Sequence, residues 1–253
     1  MIELKEMSVK DNRGTVAQNV NVKLPNGNCY GVLSQNEEDS ARFLAALAGA
    51  IPYTGQIKIN GFDLRKQPKK ARQCIGFLPK EAPLYPSFDT VDALSFVAQS
   101  KGIPYERAMR KIHELTESAA LSSIMRRVAS AMDETDRRLL GILQAAMGEG
   151  DILLLTAPIE GLRAQEAEEV LDLIERLSEK YTVFVSADTL DTLPEFCDHV
   201  LLLRNGTLTQ DPDRAELEAL FASVEPSSNQ RKSKRRAPER DGEYELISDE
   251  EDE

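Results

Sequence analysis

Gly31-Val-Leu-Ser-Gln-Asn-Glu-Glu-Asp-Ser-Ala-Arg-Phe-Leu44 is the stretch that decides the fold. A short, mostly apolar strand over Cys29 to Ser34 runs into a turn and then into helical periodicity over Ala41 to Ala50, ending near Gly49. A strand that turns straight into a helix is the setting of a phosphate-binding loop, G-x-x-x-x-G-K-[ST]. There the glycines let backbone N–H groups reach the phosphates, the lysine neutralises them and the hydroxyl holds magnesium. The four fixed positions are occupied by Ser34, Asp39, Ser40 and Ala41. Glu37, Glu38 and Asp39 set three carboxylates at the helix start, where a triphosphate needs positive charge. The stretch therefore has the frame of a nucleotide-binding fold and the wrong residues for its ligand. As first-turn acids and an N-cap the same carboxylates stabilise a helix with no ligand at all; a cation site is the alternative.

The flanking sequence supplies the rest of an α/β domain. Ile2 to Val9 and Gln18 to Leu24 alternate apolar and polar residues, as half-buried antiparallel strands do, with turns at Asp11–Gly14 and Pro25–Asn28. Gly55 to Gly61 reads as a strand closed by a turn, and Cys74 to Leu78 as a buried strand. Helical spacing near 3.6 follows over Val91–Ala98, Tyr105–Ser118 and Arg137–Met147, which makes about 88–148 a helical insertion. Asp151 to Thr156 and Thr182 to Ser186 are continuous apolar runs of the kind buried in parallel sheets, joined by a helix over Ala164–Glu179; Val200–Leu203 adds a last strand.

The chain has 253 residues, 41% apolar and 29% charged, enough for one domain with a sizeable core. Residues 1–222 are expected to form it. From 223 to 253 the composition turns basic over Arg231–Arg236 and then acidic over Asp249–Glu253, the signature of a disordered tail. A net charge of -12 argues against nucleic acid as a partner. Cys29, Cys74 and Cys197 lie far apart in sequence with no C-x-x-C, and read as reduced thiols of a cytoplasmic protein. No segment reaches the roughly 20 apolar residues of a bilayer span, so membrane contact is expected only through a partner.

In this order and spacing the segments resemble the ATP-binding domain of ABC transporters over about Ile2 to Leu220. Gly31-Val-Leu with Phe43-Leu-Ala-Ala-Leu-Ala-Gly49 is similar to the sequence that flanks the family's phosphate loop. Gly55–Gly61, Ile75-Gly-Phe-Leu-Pro79, Leu84-Tyr-Pro86, Asp151–Leu162, Cys197-Asp-His-Val200 and Asn205-Gly206 resemble further family segments. The resemblance implies an α/β P-loop-type ABC ATPase fold: a mixed sheet core, an antiparallel β subdomain and a helical insertion. It also implies which positions to examine. Thr156 stands where the family holds magnesium with an aspartate, Ala157 where its general base stands, and Lys80 at its glutamine. Asp188 stands at the switch histidine, Arg163 at the D-loop aspartate, and Lys10–Arg13 offers no aromatic for adenine. Its L-S-G-G-Q signature matches best with Met132-Asp133-Glu134-Thr135-Asp136, three carboxylates where a partner subunit's phosphate docks.

No residue set meets the needs of ATP hydrolysis, which takes a magnesium ligand and a base. The vestigial loop (Ser34, Asn36, Glu37, Glu38, Asp39, Ser40, Ala41) and signature (Asp133, Glu134, Thr135, Asp136) lead us to expect no catalytic residue, no cofactor and no metal. Lys80 is a candidate to neutralise a loop acid. Ser40 and Ser186 lack a base, since the two histidines are His113 on a polar helix and His199 beside a strand. The resemblance then implies a non-catalytic subunit of a membrane transport complex, partnered by a permease or an ABC-type subunit as a homo- or heterodimer. Its docking surface would run from Leu84-Tyr-Pro86 to Gly102. An active ATPase with an atypical ATP and magnesium site, and a scaffold that meets no permease, remain as alternatives.

Overall fold

The computed structural model describes residues 1–221 except 13, 35, 37, 118–120, 122 and 123. The tail, Arg13 and Glu37 thus lie outside the described residues.

Two sheets meet across a shared core. β1 (Ile2–Asp11), β2 (Gly14–Leu24), β4 (Thr54–Ile59) and β5 (Phe62–Asp63) form an antiparallel sheet of order β2-β1-β4-β5, with Ile2 opposite both Leu24 and Ile59. The second sheet has order β10-β9-β3-β8-β7-β6, from β3 (Cys29–Ser34), β6 (Ile75–Leu78), β7 (Ile152–Leu155), β8 (Thr182–Ala187), β9 (His199–Arg204) and β10 (Thr207–Gln210). Its strands run parallel from β9 to β6, and β10 closes one edge antiparallel to β9. This is an α/β architecture with a mixed sheet and a separate antiparallel sheet, as the sequence resemblance implies.

Strand alternation explains why β7 and β8 read as unbroken apolar runs. Leu153, Leu155, Val183 and Val185 join a cluster with the helices on one face, while Ile152, Leu154 and Phe184 join Ile2, Ile57 and Phe43 on the other. Both faces of these strands are buried, and the two polar residues of β8, Thr182 and Ser186, accept hydrogen bonds from Gly27 N–H and Ala157 N–H. α1 (Asp39–Leu47) packs on the second face, burying Phe43, Leu44 and Leu47. On the first face lie α3 (Thr90–Ser100), α5 (Glu134–Ala146) and α6 (Ala164–Ser178), with α4 (Tyr105–Thr116) against α3; α2 (Pro68–Gln73) precedes β6. α5 approaches β6 so closely that a Cβ on Gly76 would stand 2.1 Å from the Ala145 carbonyl oxygen. α7 (Arg214–Phe221) covers Leu33 and Leu202 with Leu217, Leu220 and Phe221.

The elements read from sequence recur with ends shifted by a few residues, whereas β5, α2, β10 and α7 were not expected. β10 is mostly exposed and α2 buries only Ala71, so neither has an apolar pattern to betray it. Cys29 and Cys197, far apart in sequence, stand in contact, with their sulfurs 3.4 Å apart.

Candidate functional site

β3, β8, β7 and β6 are parallel neighbours in register, Leu33 beside Ala187, Val185 beside Leu155 and Leu155 beside Leu78. Ser34, Asp188, Thr156 and Lys80 therefore leave the sheet at one carboxyl edge, where open α/β sheets bind their ligands. The topology brings the four together although 154 residues separate the first from the last in sequence.

At the β3 end the chain turns through Asn36, whose N–H donates to Ser34 Oγ at 3.2 Å, and Asn36 O accepts from Asp39 N–H at 2.9 Å. Glu38 is the N-cap of α1, and Asp39 in its first turn pairs with Arg42 at 2.9 Å. Ser40 is buried and its hydroxyl donates to Asp188 Oδ1 at 3.0 Å, tying α1 to the end of β8; Ala41 brings no hydroxyl. The described part of the loop thus combines carboxylates at a helix start with a serine whose proton is committed.

At the β7 end, Thr156 is 2% exposed and donates its N–H to Leu78 O at 3.0 Å, while its Oγ1 is buried with no hydrogen-bond partner. Ala157 follows with φ 44, a left-handed backbone costing a residue with a Cβ about 1–2 kcal/mol, and its N–H donates to Ser186 Oγ at 2.8 Å. Lys80 Nζ lies 2.8 Å from Glu160 Oε2, a carboxylate in the segment after β7 and not one of the acids before α1. Arg138 of α5 bridges both segments, donating to Lys80 O at 3.2 Å and to Ala157 O at 3.4 Å while pairing with Glu134 at 3.1 Å.

Asp133, Glu134, Thr135 and Asp136 sit at the start of α5. Asp133 caps the helix, accepting from Asp136 N–H at 2.8 Å, and the buried Asp136 pairs with Arg127. These acids therefore serve α5 itself, as first-turn carboxylates do. Between them and Lys80 lies an open cavity of about 510 Å³ lined by Lys80, Leu84, Pro86, Ser130, Arg137 and Arg138. Beside it stands an aromatic cluster: Tyr85 and Phe96 are 45% and 44% exposed, with ring centroids 5.0 Å apart, and Phe88 packs 5.1 Å from Tyr85. Arg163 begins α6 and pairs with Glu166. His199 lies in β9 with Nδ1 2.9 Å from Asp211, and no serine at the sheet edge is paired with it.

Sequence reasoning missed Arg138, Glu160 and the link from Ser186 to Ala157. Nothing in their local pattern signals them, since each acts across 19 to 80 residues.

No family model matches the chain. Its relatives include the linearmycin resistance ATP-binding protein LnrL of Bacillus subtilis, 22% identical over 210 residues, covering 82% of this chain and 68% of that one. The ABC transporter ATP-binding protein NatA of the same organism is 25% identical over 209 residues, covering 81% and 84%. A solved structure of a dimeric ATP-binding cassette in a post-hydrolysis state bound to ADP and Pi superposes with a TM-score of 0.70 at 16% identity, covering 83% of this chain and 97% of that chain. The chain is related in sequence to ABC transporter ATP-binding subunits and shares their fold.

The expectation of no cofactor is corrected by these relatives. LnrL and NatA are ATP-binding proteins by name and the cassette holds ADP and Pi, so ATP with magnesium is the group this kinship implies. The residues at the sheet edge do not fit a magnesium-held triphosphate. Among the described residues no group of three or more His, Cys, Asp or Glu could hold a metal ion. Thr156 Oγ1, which the sequence resemblance sets at a metal carboxylate's position, is an orphan in a buried site, and Ser40 is engaged with Asp188.

Proposed function

We propose that this chain is an ABC-type ATP-binding subunit that does not hydrolyse ATP and acts as a non-catalytic partner in a membrane transport complex. The observation that carries this reading is the pair Thr156-Ala157 at the end of β7: a buried, unpartnered hydroxyl followed by a methyl group. A metal-assisted phosphoryl transfer needs a carboxylate at the first position, and its base at the second is worth about 10²–10⁴-fold. Glu160, three residues on, is held by Lys80, so it is a poor substitute for that base.

On this reading the remaining candidate positions are structural. Ser34, Asn36, Glu38, Asp39, Ser40 and Ala41 shape the turn into α1, Asp188 anchors Ser40, and Asp133 to Asp136 cap α5. Residues 1–222 make up the ATP-binding-type unit, with 223–253 appended. The partner is a permease or a second ABC-type subunit at the cytoplasmic side of a membrane. The Tyr85, Phe88 and Phe96 cluster beside the 510 Å³ cavity gives the permease an apolar seat. No helix of the described residues is long and apolar enough to cross a membrane, in keeping with attachment through a partner.

The test is phosphate release from magnesium-ATP by the full chain, alone and with its co-purified partner. Release at the level of a no-enzyme control supports the reading. Magnesium-dependent turnover that survives Thr156→Val but falls in Glu160→Gln would overturn it and assign the base to Glu160.

A further inference from the structure

Cys29 opens β3 and is 2% exposed, while Cys197 lies just before β9 and is half-buried. Their sulfurs are 3.4 Å apart across 168 residues of chain. Two hydrogen bonds hold them there: Cys29 N–H donates to the Asp198 side-chain Oδ2 at 2.8 Å, and Asp198 N–H donates to the backbone Cys29 O at 2.9 Å. On the far side a Cβ on Gly31 would meet Leu193 at 2.2 Å and Cys197 Sγ at 3.5 Å, so the Cys197 side chain is confined. A disulfide needs an S–S separation of about 2.0 Å, a small further approach for side chains already in contact.

We infer that Cys29 and Cys197 form an oxidisable dithiol, a modification site at which a hydroperoxide converts the two thiols into one intramolecular disulfide. The sulfur of Cys197, the less buried residue of the two, attacks the peroxide oxygen; the O–O bond breaks, giving a sulfenic acid and water. Cys29 sulfur then attacks Cys197 sulfur. The S–S bond forms, the S–O bond breaks, and the leaving hydroxide takes the Cys29 proton as a second water. Two thiols lose two electrons and one peroxide gains them. The contact with Cys197, with burial, pushes the Cys29 thiol up, so Cys29 keeps its proton until this second step. The bond would lock β3, which leads into the Ser34–Ala41 turn, to the segment between Asp188 and β9. It depends on no nucleotide chemistry.

The experiment treats the full chain with hydrogen peroxide, counts thiols and maps peptides without reductant. Of three cysteines, one thiol should remain, with a cross-linked peptide pair containing Cys29 and Cys197. Closing so long a loop should raise Tm by several degrees, reversed by dithiothreitol. Cys74→Ser keeps the cross-link, because Cys74 lies elsewhere with its sulfur 3.4 Å from Lys70 O; Cys197→Ser and Cys29→Ser each abolish it. Three surviving thiols, a sulfinic acid at Cys197 without a cross-link, or a cross-link through Cys74 would overturn the inference.

Discussion

Thr156→Val should make the protein more stable. Thr156 is 2% exposed, its N–H is satisfied by Leu78 O, and its Oγ1 has no partner. A buried hydroxyl left unsatisfied costs about 1–3 kcal/mol, and valine removes it while keeping the branched shape and its χ1 preference. The added methyl gains up to about 0.8 kcal/mol of burial, offset in part by its slightly larger volume in a close-packed site. The net expectation is a stabilisation of about 1–2 kcal/mol, or roughly 2–8 °C in Tm for a domain of this size. Urea unfolding checks it: the midpoint should rise with an unchanged slope. A destabilised Thr156→Val would refute the reasoning, since it would mean that the hydroxyl has a partner whose loss exceeds the gain. The companion Thr156→Asp puts a carboxylate in the same enclosed position, where burial raises its pKa and costs stability. Rescue of that loss by magnesium would show that the strand end still has the geometry of a metal site.

Asp133→Ala removes the cap of α5 and should cost about 1 kcal/mol, read as a Tm drop of roughly 2–4 °C, with Asp133→Asn near wild type. Gly76→Ala must push a Cβ into the Ala145 carbonyl and should destabilise by about 1–3 kcal/mol or more, seen by denaturant titration. Burial alone would push Asp211 up, but the Val200 N–H, His199 and Gln210 hold its carboxyl below the usual range. The stability this contributes is present above the ordinary carboxylate range and is lost as pH falls through the depressed folded value. Asp211→Asn should therefore flatten the acid limb of the stability–pH curve and leave a lower plateau near neutrality.

The framework was legible wherever burial imposes a pattern. β7 and β8 could be read because both faces meet cores, and α6 because Val170, Leu173, Ile174 and Leu177 repeat at helical spacing. α7 carries the same spacing at Leu217, Leu220 and Phe221, but over so few residues that the period does not stand out. The edge strand β10 packs only Leu208 against the core, too little to leave a pattern. At the site, the strand ends followed from topology, whereas the contacts Ser40 to Asp188, Lys80 to Glu160 and Cys29 to Cys197 did not. Each joins side chains 80 to 168 residues apart, and single-chain periodicity has no term for that.

The expectation of no cofactor failed for an instructive reason. It was built from side chains, yet much of what a phosphate-binding turn offers comes from backbone N–H groups and the dipole of the following helix, which residue identity does not erase. α1 is the helix that follows β3 here, so its N-terminal dipole is present whatever Asp39 and Glu38 add. Hydrolysis differs, because a metal ligand and a base are side-chain functions that no backbone supplies. Binding and turnover are separable in this fold: the first draws on a backbone turn and a helix start, the second on side chains such as those the resemblance sets at Thr156 and Ala157. A relative can share the frame at low identity and still say nothing about turnover, and the proposal of no hydrolysis is therefore tested at the two strand-end residues.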